Sequence, residues 1–282
     1  MISGFLPAGW SDDTPLILLA GQGEEGSYPY ELAERALVKK AAISLLALKD
    51  ETSPAVMGLF DPREIRIAPI GDLGALLKAI KELGGKGLIM AGRVDTGHVF
   101  KDFFPDFRAI ALMAGLKERN AETIIGAIAG EIEKINVQVL DARTFMDDSL
   151  ADEGWMVKNS ESVSAEAIEH AVKIAEGVAQ LDIGQSVVTR KGTVLAAEGF
   201  EGTDAMLARC AGFKTDHKIF AKTVKARQDY RFDVPIFGLK TLESLAAANI
   251  RTAVLKKGSV IIPQKEAVLA CAKREGIAVF GY

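Results

Sequence analysis

The segment Leu16–Ala20 (LILLA) is a short, unbroken apolar run between Pro15 and Gly21, the form taken by a strand of a parallel sheet buried on both faces. It leads at once into Gly21-Gln22-Gly23-Glu24-Glu25-Gly26, then Pro29 and a helical pattern through Leu32, Ala33 and Ala36. The same grammar recurs. Ile43–Leu48 reads as a second strand and Arg66–Ile70 as a third. Asp72 is placed to cap a helix with Leu73, Leu76, Leu77, Ile80 and Leu83 inward, ended by Gly84-Gly85, and Gly87–Ala91 is a fourth strand. Asn120 caps a further helix whose Ile124, Ile128, Ile132 and Ile135 share a face, before a last strand at Val137–Leu140. Alternating strands and helices with short glycine-marked joints predict an α/β fold, here a Rossmann-like, mostly parallel sheet domain over residues 1–150.

The pattern changes at 146–165, which is acidic, polar and without periodicity; residues 151–163 are read as a linker. From 164 to 282 a C-terminal α/β domain with a mixed sheet is expected. Ser164 starts an amphipathic helix through Ile168, Ala171, Val172, Ala175, Val178 and Ala179. Arg190-Lys191-Gly192 marks a hairpin between Ser186–Thr189 and Thr193–Ala197. Lys256-Lys257-Gly258 suggests a second hairpin, between Thr252–Leu255 and Val260–Ile262. Helices are expected near Asp204–Cys210, Thr241–Ala248 and Gln264–Glu275.

With 282 residues, 49% of them apolar, the chain has material for two cores. Its net charge of −4 and the absence of a long basic run argue against a nucleic-acid partner. No apolar run approaches the ~20 residues of a membrane span, and the first residues carry no basic leader, so a cytoplasmic protein is expected, free or resting on the inner membrane surface. Cys210 and Cys271 lie in Ala-rich surroundings without ligand spacing and read as core thiols. His98, His170 and His217 are too scattered for a histidine metal centre or a triad.

Four clusters can carry chemistry. Gly21 and Gly23 belong to a literal GxGxxG after a strand, where a helix N-terminus favours a phosphate, although Pro29 puts Gly26 outside the helix and Glu24-Glu25 would face an anion. Arg93 follows the fourth strand and can reach a phosphate from the same sheet edge. Asp182 to Gln185 and Glu198 to Arg209 form the densest polar region: Gly202 permits close approach, Thr203 or Asp204 can cap a helix, and Glu201 with Asp204 reads either as an acidic surface turn or as a pair sharing a divalent cation. Lys222, Lys225, Arg227 and Arg231, with Gln228, Asp229 and Asp233 among them, offer cations for a diphosphate and a carboxylate for a metal or a water, or else a solvated charged strand.

In these clusters the chain resembles the UDP-2,3-diacylglucosamine pyrophosphatases of the LpxI type. The resemblance rests on Asp182–Gln185, on Glu201-Gly202-Thr203-Asp204-Ala205, and on Arg231–Pro235 followed by Gly238 and Thr241. It extends to Ala20–Gly23, Ala91–Val94 and Arg119–Thr123 in the first half. The chain departs from that pattern at Pro235-Ile236-Phe237-Gly238 and at Glu24–Pro29. The resemblance implies a hydrolase of lipid A biosynthesis in a Gram-negative bacterium, using Mg²⁺ to give UMP and 2,3-diacylglucosamine 1-phosphate from a lipid-linked nucleotide sugar, with Asp233 as the key aspartate. On this reading Asp233, Glu201 and Asp204 hold magnesium; Asp233, Arg231, Arg227 and Lys225 are catalytic. Gly21, Gly23, Arg93, Gln185, Gly202, Thr203, Arg209 and Gln228 bind substrate, and the protein is a homodimer. Two alternatives stay open: an NAD(P)-linked oxidoreductase built on the GxGxxG loop, and a non-catalytic nucleotide-sugar or lipid-binding protein.

Overall fold

The computed structural model describes residues 3–94, 105–118, 120–159 and 163–282. His98 and Arg119, both singled out above, lie outside the described residues. The chain divides into two compact units, one of Met1–Asp147 with Asp229–Asp233, the other of Asp148–Gln228 with Val234–Tyr282.

The first unit is built on β1 (Leu16–Ala20), all five of whose residues are buried, which is what a continuous apolar run requires. β1 pairs in parallel with β2 (Ile43–Leu48) on one side and β4 (Gly87–Ala91) on the other. β3 (Ile65–Ala68) and β5 (Gln138–Val139) complete a five-stranded parallel sheet in the order β3-β2-β1-β4-β5. The order reverses between β1 and β4, so the crevice at their carboxyl ends is the natural ligand edge of such a sheet. Helix α1 (Tyr28–Val38) begins with Pro29 in its first turn, as expected, and Gly26 lies before it with φ +76°. The four-residue α2 (Pro54–Met57) precedes α3 (Leu73–Leu83), which is capped by the Asp72 carboxylate accepting from the Ala75 N–H at 2.7 Å and is stopped by left-handed Gly84. Helices α4 (Phe107–Ala114) and α5 (Ala121–Glu133) follow, α5 opening on a capping box of Asn120 and Thr123. Ile17, Leu46, Leu77, Ile80, Leu88 and Ile132 form the core of this unit.

The second unit carries a mixed sheet in the order β6-β11-β10-β9-β7-β8. Its strands are β6 (Gly154–Val157), β7 (Ser186–Arg190), β8 (Thr193–Ala197), β9 (Lys218–Lys222), β10 (Thr252–Leu255) and β11 (Ala278–Gly281). Helices α6 (Ala165–Gln180), α7 (Gly202–Cys210), α8 (Leu239–Ala247) and α9 (Lys265–Arg274) accompany it, and Phe220, Phe237, Leu242, Leu245 and Leu255 lie in its core. The first hairpin is as expected, with Lys191 and Gly192 both at positive φ in its turn.

The second expected hairpin is a correction. Both edges of β10 are occupied by parallel neighbours, β9 and β11, so no antiparallel return strand can pair with it. Lys256 N–H and Lys257 N–H instead donate to the carbonyls of Lys222 and Tyr282, and Ile261 makes single bridges to Leu150 and Ile236. Strand β6, within the stretch read as a linker, pairs antiparallel with β11 at the sheet edge. Cys210 is buried and Cys271 half-buried, and both are free thiols.

Candidate functional site

In the first unit the two phosphate-loop candidates meet. The chain leaving β1 and the chain leaving β4 are joined by Gly21 N–H to the Ala91 carbonyl at 2.8 Å and Gln22 N–H to the Arg93 carbonyl at 2.7 Å. The contact requires glycine: a Cβ on Gly21 would stand 2.3 Å from the Arg93 carbonyl oxygen, and one on Gly92, at φ +96°, 2.8 Å from that of Gln22. Gly23 is equally enclosed, against the Pro29 ring and the Ser27 hydroxyl, and its carbonyl accepts from the Ser53 hydroxyl. The glycines thus knit two loops into one rim at the switch point, with the Arg93 side chain exposed on it.

The Asp229–Asp233 segment also belongs to this unit. Arg231 forks onto the Asp229 carboxylate at 2.9 and 2.7 Å and reaches Glu133 of α5 at 3.0 Å. These contacts hold the Asp229 carboxyl below its usual range and push the Arg231 pKa up. The Tyr230 carbonyl accepts from Ala142 N–H at 2.7 Å, and the Arg143 guanidinium lies 3.6 Å above the Tyr230 ring. Arg231, expected to stabilise charge on a reacting phosphate, therefore spends its fork on two carboxylates and anchors the segment that carries Asp233.

In the second unit the polar residues of the 182–204 region gather at the carboxyl end of β9. Lys225 pairs with Asp182, and its N–H donates to the Gln228 side-chain oxygen at 2.9 Å. Gln185 N–H donates to Glu198 at 3.3 Å; Thr203 donates to the other oxygen of Glu198 at 2.7 Å and accepts from the Lys222 ammonium at 3.0 Å. Gly184 lets the two turns touch, since a Cβ there would meet the Glu198 carbonyl oxygen at 2.3 Å. Gly202 opens α7 at φ +80°, and Arg227 stands exposed. Lys222 and Glu198, read in the sequence only as members of their clusters and given no site role there, are the residues that join these turns; Lys222 closes β9 (Lys218–Lys222).

The expected magnesium set is not assembled. Arg209 binds Glu201 at 2.7 Å, which holds that carboxyl below its usual range, and also caps the Ala197 carbonyl at 2.8 Å. Asp204 is paired with Lys240 at 3.0 Å. Among the described residues no three His, Cys, Asp or Glu side chains stand where they could hold one metal ion. The donor set expected from the sequence does not fit a resident cation.

The comparisons with known proteins bear on both units. Residues 15–149 match the model of the LpxI N-terminal domain, and residues 152–280 match that of the LpxI C-terminal domain. The chain belongs to the LpxI family. It is also 29% identical over 276 residues to the UDP-2,3-diacylglucosamine pyrophosphatase LpxI of Caulobacter vibrioides, covering 94% of this chain and 96% of the relative. Membership of the LpxI family makes the chain an enzyme of the hydrolase class, and it corrects the function as first read. The oxidoreductase and the non-catalytic binding protein fall away, because the family match runs through both halves and the GxGxxG lacks the helical third glycine. Asp233, Glu201 and Asp204, expected to hold magnesium, do not form a metal-holding group among the described residues. Among the described residues no helix is long and apolar enough to cross a membrane.

Proposed function

We propose that this LpxI-family hydrolase opens the diphosphate of UDP-2,3-diacylglucosamine, releasing UMP and the lipid sugar 1-phosphate, as a cytoplasmic step of lipid A biosynthesis. The observation that carries this reading is the relationship to the Caulobacter pyrophosphatase along nearly the full length of both chains. The residue chemistry agrees with it. A diphosphate ester needs its charge neutralised and its attacking water placed, more than it needs a protein nucleophile. Lys225 and Arg227 supply cations, Gln228 orders the Lys225 backbone, and Asp233, presented by an anchored segment, is the carboxylate that orients water. Exposed Leu181, Ile183 and Phe200 flank Gln185, Glu198 and Gly202 in the chain, as an acylated substrate favours. The glycine rim with Arg93 suits the nucleotide phosphate. Magnesium belongs to this proposal with the substrate, whose own phosphate oxygens are the ligands it prefers.

The test is UMP release from purified UDP-2,3-diacylglucosamine by the full chain, with Mg²⁺ and with EDTA. We expect turnover by the wild type and a loss of at least about 100-fold in Asp233→Ala, the size typical of removing one positioned catalytic group. Near-wild-type turnover by a folded Asp233→Ala protein removes Asp233 from the reaction; no UMP from the wild type removes the function.

A further inference from the structure

The strand end at Lys222 carries a residue whose chemistry the fold does not require. Its side chain is buried, 7% exposed, at the carboxyl end of β9 beside Ser186 of β7. Burying an ammonium costs several kcal/mol of hydration before its contacts are counted, and an apolar side chain of equal length fills such a place without that cost. The ammonium here points at hydroxyls, Thr203 Oγ1 at 3.0 Å and Ser186 Oγ at 3.4 Å.

The Thr203 contact has a directional consequence. An ammonium has only protons to give, and a hydroxyl has one proton and two lone pairs. With Lys222 donating to its oxygen, the Thr203 proton is left for Glu198 Oε1, at 2.7 Å, and Glu198 Oε2 accepts the Gln185 N–H. One buried charge thus sets a chain Lys222 → Thr203 → Glu198 ← Gln185. It ties the first turn of α7 to the turn before β7, across the residues given above as substrate contacts.

We propose that Lys222 is a positioning residue, which acts through the Thr203 hydroxyl to hold the start of α7 against the Gln185 turn in the geometry the substrate meets. The proposal deepens the hydrolase reading and rests on it only where activity is the readout. The experiment uses the full chain as wild type, Lys222→Met, Thr203→Val, Thr203→Ser and the double variant Lys222→Met/Thr203→Val. Amide hydrogen exchange is the arm that needs no substrate. Protection over residues 199–205 should fall about tenfold in Lys222→Met and in Thr203→Val, with β10 and α9 unchanged. Unchanged protection at 199–205, or a loss spread evenly through the second unit, overturns the proposal.

In the activity arm, kcat/KM for UMP release should fall about 10- to 100-fold in Lys222→Met, the range for a lost charge-assisted hydrogen bond. Thr203→Val should match it, Thr203→Ser should recover most of that loss, and the double variant should be no worse than Lys222→Met alone. Losses that multiply in the double variant mean that Lys222 does not act through Thr203. If the wild type releases no UMP, the hydrolase reading fails while the exchange arm still judges Lys222. If Lys222→Met does not fold, the two Thr203 variants decide by the same exchange criterion.

Discussion

Single side chains do unequal work in this protein. Lys218, at the opposite end of β9 from Lys222, is only 2% exposed and donates to the carbonyls of Cys210, Phe213 and Ala248, so one ammonium serves the carboxyl ends of both α7 and α8. It borders an open cavity of about 650 Å³ that also includes Arg190, Phe213 and Asn249 and contains none of the expected site residues. Lys218→Met should cost about 2–4 kcal/mol, seen as a lower urea midpoint, because it leaves several buried carbonyls without a donor. Asp229 acts through charge. Its carboxyl is held below the ordinary range by Arg231, so near that range the unfolded chain binds more protons than the folded one. Stability from this pair is therefore complete above about pH 5 and drains away as pH falls through the ordinary carboxylate range near 4 and below. A melting series from pH 6 to pH 3 should fall less steeply in Asp229→Asn than in the wild type.

Helices and strands were legible where a local signal was complete. Asp72 and Gly84 bracket α3 as a cap and a stop should, and Asp72→Ala is expected to lower stability by about 1 kcal/mol in chemical denaturation, through the lost bond to Ala75 N–H. Leu16–Ala20, an unbroken apolar run, and Ile43–Leu48, apolar at every position but Ser44, read correctly because such segments have one comfortable place, inside a parallel sheet. Strand β9 was hidden: Lys218 and Lys222 at its ends look like solvent residues, and their burial depends on carbonyls and hydroxyls brought from distant parts of the chain. The second hairpin failed for a related reason. A basic turn with glycine is local, whereas the occupation of both β10 edges is set by β9 and β11. Site chemistry divides likewise: the two glycine loops could be placed on one sheet edge from the strand pattern, but the Arg231 bond to Glu133 and the Asp204 pair with Lys240 join residues far apart in the chain. Gly21→Ala tests the loop junction. With 2.3 Å between the new Cβ and the Arg93 carbonyl oxygen, both loops must shift, and a drop of about 1–3 kcal/mol in stability is expected.

Each of the two units has a core of its own, so heat should unfold the chain with a calorimetric enthalpy larger than the van't Hoff value, the sign that more than one cooperative block melts. Neither unit is one continuous stretch, since five residues from Asp229 to Asp233 return to the first after the chain has already built four strands of the second. Those five supply the acceptor for Ala142 N–H, the ring beneath Arg143 and the Arg231 bond to α5. A gene spliced between two homologues at codon 150 would therefore give a hybrid in which each parent's first half must accept a stranger's strap. The seam between the two units is thus one that a linear domain map does not draw.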